Sequence, residues 1–511
     1  MGEQRASRHT TAPLPVQHEA HTPEPLDMKD LNKTHVISPQ GDLIIEYTDP
    51  SAVPHRWVVS SQLLVDKSPY FRALLDPEKF AEGRQLSQRR QGLKDSPGSS
   101  AETGSDGDVD LSSFSDLPTF KIGSESMLEL CGAESIDLFL RIMCLESQAD
   151  DTRIEFEDSL KSRSLAVIAK LIEIADWFNS PEFIRYTLRD VGYTFGKKDR
   201  SSQWTFGPAL LRMKEDRTRQ IIAIAYFLQS DIVCQTMTHT LLVAGSRFWV
   251  DGLERPATVH LRWRYLPDGF EEELYYRRQC VLNTITDLHA HFLRKYGALE
   301  DTDETKPTNN TTSSLGTAFS TSTHTRRYQC RAGLDNASQC DLFHLGQMTR
   351  FFSMRAKTVF IGSTLIDPEF NEPNSEDETS DAEDTPKQRS SSSDAPSDII
   401  AIIASLKQYP DYQIDPNHQA CGVRRRLLPI IPCIEKYISD PRGLLGCGRE
   451  HWTQIPRSSW KTGVPADHTV GIRFAQITSV HFSSKRRTAT TFPLREEAWL
   501  LFTARKRNWE A

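Results

Sequence analysis

The chain has 511 residues, room for about three domains. Its hydrophobic share of 38% lies below the roughly 45–50% of globular chains, a norm that also counts glycine, so part of it is expected to stay outside any packed core. Of the formal charge of -8, seven units come from one stretch, Glu372, Glu376, Asp377, Glu378, Asp381, Glu383 and Asp384. The rest is near neutral, which excludes a strong global field for nucleic acid.

No run of about 18 apolar residues occurs, so no membrane helix is expected. The polar N-terminus does not read as a signal peptide. Met1-Gly2 opens a myristoylation pattern, but Ala6 stands where Ser or Thr is wanted. Nine cysteines without a secretory signal point to reduced thiols. The sequons at Asn309, Asn310 and Asn336 then carry little weight. These features predict a soluble intracellular protein, cytoplasmic or nuclear, with no membrane partner.

In chain order, residues 1–38 lack apolar periodicity and read as disordered. Asp42 to Tyr47 (Asp-Leu-Ile-Ile-Glu-Tyr) predicts a strand. Residues 56–75 predict a strand end, a short helix, a break at Ser68-Pro69 and a second helix. Proline suits a first helical turn and the serine before it can cap. Tyr70, Phe71, Leu74 and Leu75 repeat at helical spacing. Residues 84–117 turn to Ser, Gly, Asp and Gln and read as a disordered insertion. Thr119 to Ile122 alternates as a strand, and Ile136 to Leu145 reads as a helix. In 160–178, Leu165, Ile168, Ile172 and Ala175 make one stripe and Leu171, Ile174 and Phe178 another. A helix apolar on two stripes is expected between two layers. The next helix starts after Asn179-Ser180-Pro181.

Residues 204–300 form a helical region, with one helix within Leu210–Leu228 and a longer one over Phe270–Tyr296. In the latter, Leu274, Val281, Ile285, Leu288, Phe292 and Tyr296 make a core stripe, and Glu271, Glu272 and Glu273 lie where the helix dipole favours acids. A Thr/Ser/Asn linker spans 301–323, a Cys/His-containing segment 324–366, and an acidic Ser-rich disordered linker 370–397. The C-terminal region, 398–511, holds an apolar helix at Ile399–Tyr409, a strand at Val470–Phe482, and the aromatic residues Trp499, Phe502 and Trp509. The fold class is therefore α+β: a small sheet capping a helical cluster, then a mainly helical region and a mixed C-terminal region.

The strand followed by a helical hairpin broken at Ser68-Pro69-Tyr70-Phe71 resembles the BTB/POZ domain, with the core over 39–83 and 118–195. Three later strings also look like those of fungal BTB domain-containing proteins: Asp268–Arg278, Gln339–Gly346 and Tyr412–Gly422. The resemblance implies a protein-interaction module without catalytic chemistry. It also implies a homodimer surface that would include Leu63, Leu64 and Val65, the alternative being that these fill the monomer core. Two places depart from the family. Its His-Lys pair is replaced by Ser60-Ser61, and its cullin-docking triplet with a carboxylate corresponds here to Val167-Ile168-Ala169.

Zinc takes four thiolate or imidazole ligands. Cys330, Cys340, His418 and Cys421 can converge if 324–366 packs on 398–451, since His418-x-x-Cys421 fits one turn. Cys447-x-x-x-His451 offers another half-site. No Cys-x-x-Cys pair occurs and no strong zinc template matches, so neither metal ligands nor cofactor are assigned. No Gly-x-Ser-x-Gly or phosphate-binding loop stands out, and His289 and His291 lie on a helix without a nucleophile pattern, so no catalytic residues are expected. Arg424–Arg426, Lys485–Arg487 and Arg505–Arg507 are short basic clusters, read as solvated faces. The expectation is a non-enzymatic scaffold or adaptor with protein partners. The alternatives are a substrate adaptor of a cullin-type ubiquitin ligase and a nuclear regulator with weak nucleic-acid contacts.

Overall fold

A computed structural model of the chain describes residues 34–94, 117–122, 126–196, 204–249, 252–253, 261, 263–266, 269–297, 330, 337–356, 398–448, 469–471, 492–504 and 506–509. The expected linkers at 301–323 and 370–397, residues 1–33 and 95–116, Lys485–Arg487, His451 and the expected strand beyond residue 471 lie outside these.

The protein is mixed α and β, mostly helical, with a small N-terminal sheet. Strands β1 (Thr34–Val36), β2 (Leu43–Thr48) and β3 (Pro54–Val59) open it. β2 and β3 form an antiparallel hairpin with Ile45 opposite Trp57. The Asp49 carboxylate closes the turn by accepting from the Ser51 and Val53 amides, each at 2.9 Å. β4 (Thr119–Ile122) joins parallel to β2, and β1 parallel to β3, giving the order β1-β3-β2-β4. Residues 34–36, expected in a disordered terminus, thus supply an edge strand. Backbone pairing there needs no apolar periodicity.

Helices α1 (Ser61–Lys67) and α2 (Pro69–Leu74) are the hairpin read from the sequence. Ser68 caps α2 by accepting from the Phe71 amide. α3 (Ala81–Lys94) replaces the start of the expected insertion with regular helix. Its Gln and Arg residues are good helix formers even where little is buried. α4 (Ser126–Cys131), α5 (Ala133–Met143), α6 (Asp150–Lys161), α7 (Leu165–Trp177) and α8 (Pro181–Val191) complete the cluster under the sheet. Trp57 Nε1 ties sheet to helices by donating to Asp137 on α5 at 2.9 Å.

Beyond it come α9 (Pro208–Leu211), α10 (Glu215–Phe227), α11 (Asp231–Ala244) and the 26-residue α12 (Phe270–Lys295). The last part holds α13 (Ala337–Arg350), which runs into a π-turn at Phe351–Arg355. After it come α14 (Ile399–Lys407), α15 (Arg424–Leu427), α16 (Ile431–Ile438), β5 (Thr469–Gly471), α17 (Phe492–Thr503) and β6 (Lys506–Asn508), which pairs parallel with β5.

Among the described residues the apolar side chains collect in two large clusters. One runs from Ile37 to Leu274 and also takes Cys447; the other runs from Phe206 to Trp509. The two stripes of α7 are buried as the periodicity predicts, between α5 on one side and α10 on the other. The N-terminal unit and the helical region therefore share one core, and the expected boundary between 195 and 204 does not separate two cores. α11 and α12 each send side chains into both clusters. Among the described residues no helix is long and apolar enough to cross a membrane.

Candidate metal centre

α13 carries Cys340 and His344 one turn apart, both fully buried, on the stripe that continues to Met348. Across from it the chain makes a tight turn at Pro416–His418. Asp415 starts that turn, its carboxylate accepting from the Asn417 amide at 2.7 Å and its carbonyl from the His418 amide at 3.1 Å. The Cys421 amide then donates to the His418 carbonyl at 3.3 Å. This second turn aims His418 and Cys421 the same way, as their spacing predicts. Cys330 closes the group.

The ligand-type atoms of Cys330, Cys340, His418 and Cys421 all lie within 4.8 Å of one another, and all four residues are buried. Cys330 Sγ is 3.3 Å from His418 Nδ1 and 3.8 Å from Cys421 Sγ. His418 Nε2 faces the other way, 3.9 Å from an Asp415 carboxylate oxygen. Burial pushes the Cys340 thiol well above its ordinary range, and the neighbouring Cys330 and Cys421 thiols push it further. His344 stands beside the group but outside it. Burial holds its pKa below the ordinary value, so the ring is neutral at pH 7. The apolar packing at this corner is small: Cys330, Ala337, Cys340 and Cys421 form a cluster of their own.

The structure therefore brings together the four residues the sequence offered as a convergent set. It gathers them from positions 330, 340 and 418–421, which is why no short template matched. Cys447 goes elsewhere: it lies in the N-terminal core and its amide donates to Thr238 Oγ1 at 2.8 Å. His289 is buried and stacks on Phe352 at 4.1 Å between ring centroids.

Other surfaces read from the sequence change character. Leu64, expected at a dimer face, is fully buried in the monomer core, while Leu63 and Val65 are half-buried. In the triplet Val167-Ile168-Ala169 only Val167 reaches the surface, and Leu171 is core, so a substitution there tests folding rather than docking. Arg424 and Arg425 are exposed, as a solvated face requires. Arg507 is not: it pairs with Asp287 at 3.3 Å and donates to the Leu501 and Phe502 carbonyls.

Sequence reasoning missed a set of buried ions. Glu271, placed by the dipole argument at a helix start, is fully buried. Its carboxylate accepts from Arg219 at 2.7 and 2.9 Å, from Trp249 Nε1 at 2.7 Å and from the Leu266 amide at 2.9 Å. Arg277 pairs with Glu273 at 2.6 Å and donates to the carbonyls of Leu445 and Gly446, and Arg278 donates to those of Leu242 and Val243. Within the string Asp268–Arg278, the residues Glu271, Arg277 (held by Glu273) and Arg278 thus fasten α12 to its neighbours, whereas Gln339–Gly346 and Tyr412–Gly422 each supply part of the Cys/His group. The only signal in the sequence was the density of charge beside the apolar stripe of α12.

No family model matches the chain, no curated protein matches it, and no solved structure matches its fold.

Proposed function

We propose that the chain is a non-enzymatic protein-interaction scaffold or adaptor, whose N-terminal unit over residues 39–195 is BTB/POZ-like. One observation carries this reading. The Ser-Pro helical hairpin that follows the strands locks onto the end of α7, where Ser68 Oγ donates to the Phe178 carbonyl at 2.6 Å and Phe71 stacks on Phe178. The residues behind the sequence resemblance thus hold the core of that unit together. Its surface offers Tyr70, Phe80, Trp177 and Tyr186, each at least a third exposed, and aromatic side chains are the type enriched at interfaces. The nine cysteines form no disulfide, which suits a protein working among reduced thiols. The partners are proteins, a second copy of this chain among them.

The test uses the full chain, because its N-terminal unit shares a core with α10. Sedimentation at micromolar concentration and affinity purification from the native cell would compare the wild type with Tyr186→Asp and Trp177→Asp. Self-association or partner capture that weakens in either variant supports the reading. A monomeric chain that captures the same proteins with or without the substitutions overturns it.

A further inference from the structure

We propose that Cys330, Cys340, His418 and Cys421 bind one zinc ion as a structural centre, fastening residue 330 and α13 to the 415–421 turn. The distances fit a tetrahedron. With Zn–S of about 2.3 Å and Zn–N of about 2.0–2.1 Å, its edges are about 3.8 Å between sulfurs and about 3.6 Å between sulfur and nitrogen. The observed edges are 3.8 Å for Cys330–Cys421 and 3.3 Å for Cys330–His418, and all four atoms fall within 4.8 Å. On binding, the Cys330–His418 edge would open slightly and the longer edges, up to 4.8 Å, would close on the ion.

The chemistry points the same way. Three sulfurs and one imidazole make a soft donor set with no carboxylate, which selects zinc over magnesium or calcium. A dication would hold all three buried cysteines as thiolates and leave a net charge of -1 on the centre. His418 presents Nδ1 inward and Nε2 toward Asp415, the orientation in which an outer carboxylate fixes the tautomer of a metal-bound histidine.

The role follows from closure. Four protein ligands leave no open position for water or substrate, so the centre is structural rather than catalytic. Among the described residues, the corner's own apolar cluster is Cys330, Ala337, Cys340 and Cys421, three of them ligands, so the ion would fasten it.

The experiment measures metal in the full-length chain, purified without chelators from zinc-supplemented cells. About one zinc per chain is expected, as for a single four-ligand site. It should be lost in Cys340→Ser and His418→Ala and kept in Cys433→Ser and Cys447→Ser, which remove buried thiols outside the group. Because a ligand variant can fail to fold, cobalt(II) is also titrated into the metal-free wild type. Intense visible bands of tetrahedral cobalt with thiolate charge transfer, displaced by zinc, support the proposal. A folded wild type that holds no zinc and gives no such bands overturns it, as does zinc retained in both ligand variants.

Discussion

His239 on α11 gives the sharpest test of how the two halves are joined. Its ring is fully buried against Phe206, with ring centroids 4.4 Å apart. The Leu445 amide donates to Nδ1 at 3.3 Å, so Nε2 carries the proton and donates to the Ile438 carbonyl at 2.9 Å. Both nitrogens are satisfied only in the neutral form. A second proton on Nδ1 would face an N–H. Burial pulls the pKa from 6.5 down to about 4, against smaller opposing effects of the Ile438 hydrogen bond and the Asp440 carboxylate. The folded pKa is depressed, so the stabilisation is fully present above about 6.5 and is lost as pH falls toward 4. Between pH 7 and pH 5 this one ring should cost about 2 kcal/mol of stability, with a ceiling of about 3 kcal/mol below pH 4. Urea unfolding of the wild type and His239→Gln at pH 7, 6 and 5 reads it. The variant starts less stable, having lost the ring's hydrogen bonds, but its stability should fall by about 2 kcal/mol less between pH 7 and 5. Any other group that titrates in this window, the Cys/His centre included, is common to both proteins and cancels in the difference. Parallel pH profiles would show that His239 titrates alike in folded and unfolded chains and would refute the argument.

Three further outcomes are expected. Glu271→Ala takes from the buried Arg219 one of its two carboxylates, leaving Glu215 at 2.7 Å, and orphans the Trp249 and Leu266 donors; unfolding free energy should fall by about 2–5 kcal/mol, and a loss under about 1 kcal/mol would contradict the network. Ser68→Ala removes both the cap on α2 and the bond to the Phe178 carbonyl, at a cost of about 1–3 kcal/mol by urea titration. Gly446→Ala drives a methyl group into the Gln235 carbonyl oxygen of α11, and thermal unfolding should register a loss of about 1–3 kcal/mol or more.

What could be read from the sequence depended on how local the governing physics was. α7 was legible because thirteen residues carry two apolar stripes at helical period. That α10 covers its second face was not, since nothing local names the neighbour. α11 escaped notice because Thr236, Thr238 and Thr240 are β-branched and polar. In the fold the Thr238 and Thr240 hydroxyls turn back onto the Cys234 and Thr236 carbonyls, which lets them sit in a buried helix. α3 was hidden by its polarity. The Cys/His group lay between these cases. His418-x-x-Cys421 was visible as one turn, and all four residue types were right. Their meeting depends on packing between segments about 90 positions apart, Cys330 and Cys421 being separated by 91.

The double engagement of α11 and α12 has a consequence for ligand discovery. Each helix is anchored in both clusters, so neither half can open without exposing apolar surface in the other. Occupancy anywhere on the folded chain should therefore raise the melting temperature of all of it. By mass action, a partner present at a hundred times its Kd contributes about 2.7 kcal/mol. Trp57 and Trp509, buried one in each cluster, should therefore lose their surroundings in one transition. A thermal-shift screen read by tryptophan fluorescence would register a partner wherever on the fold it docks.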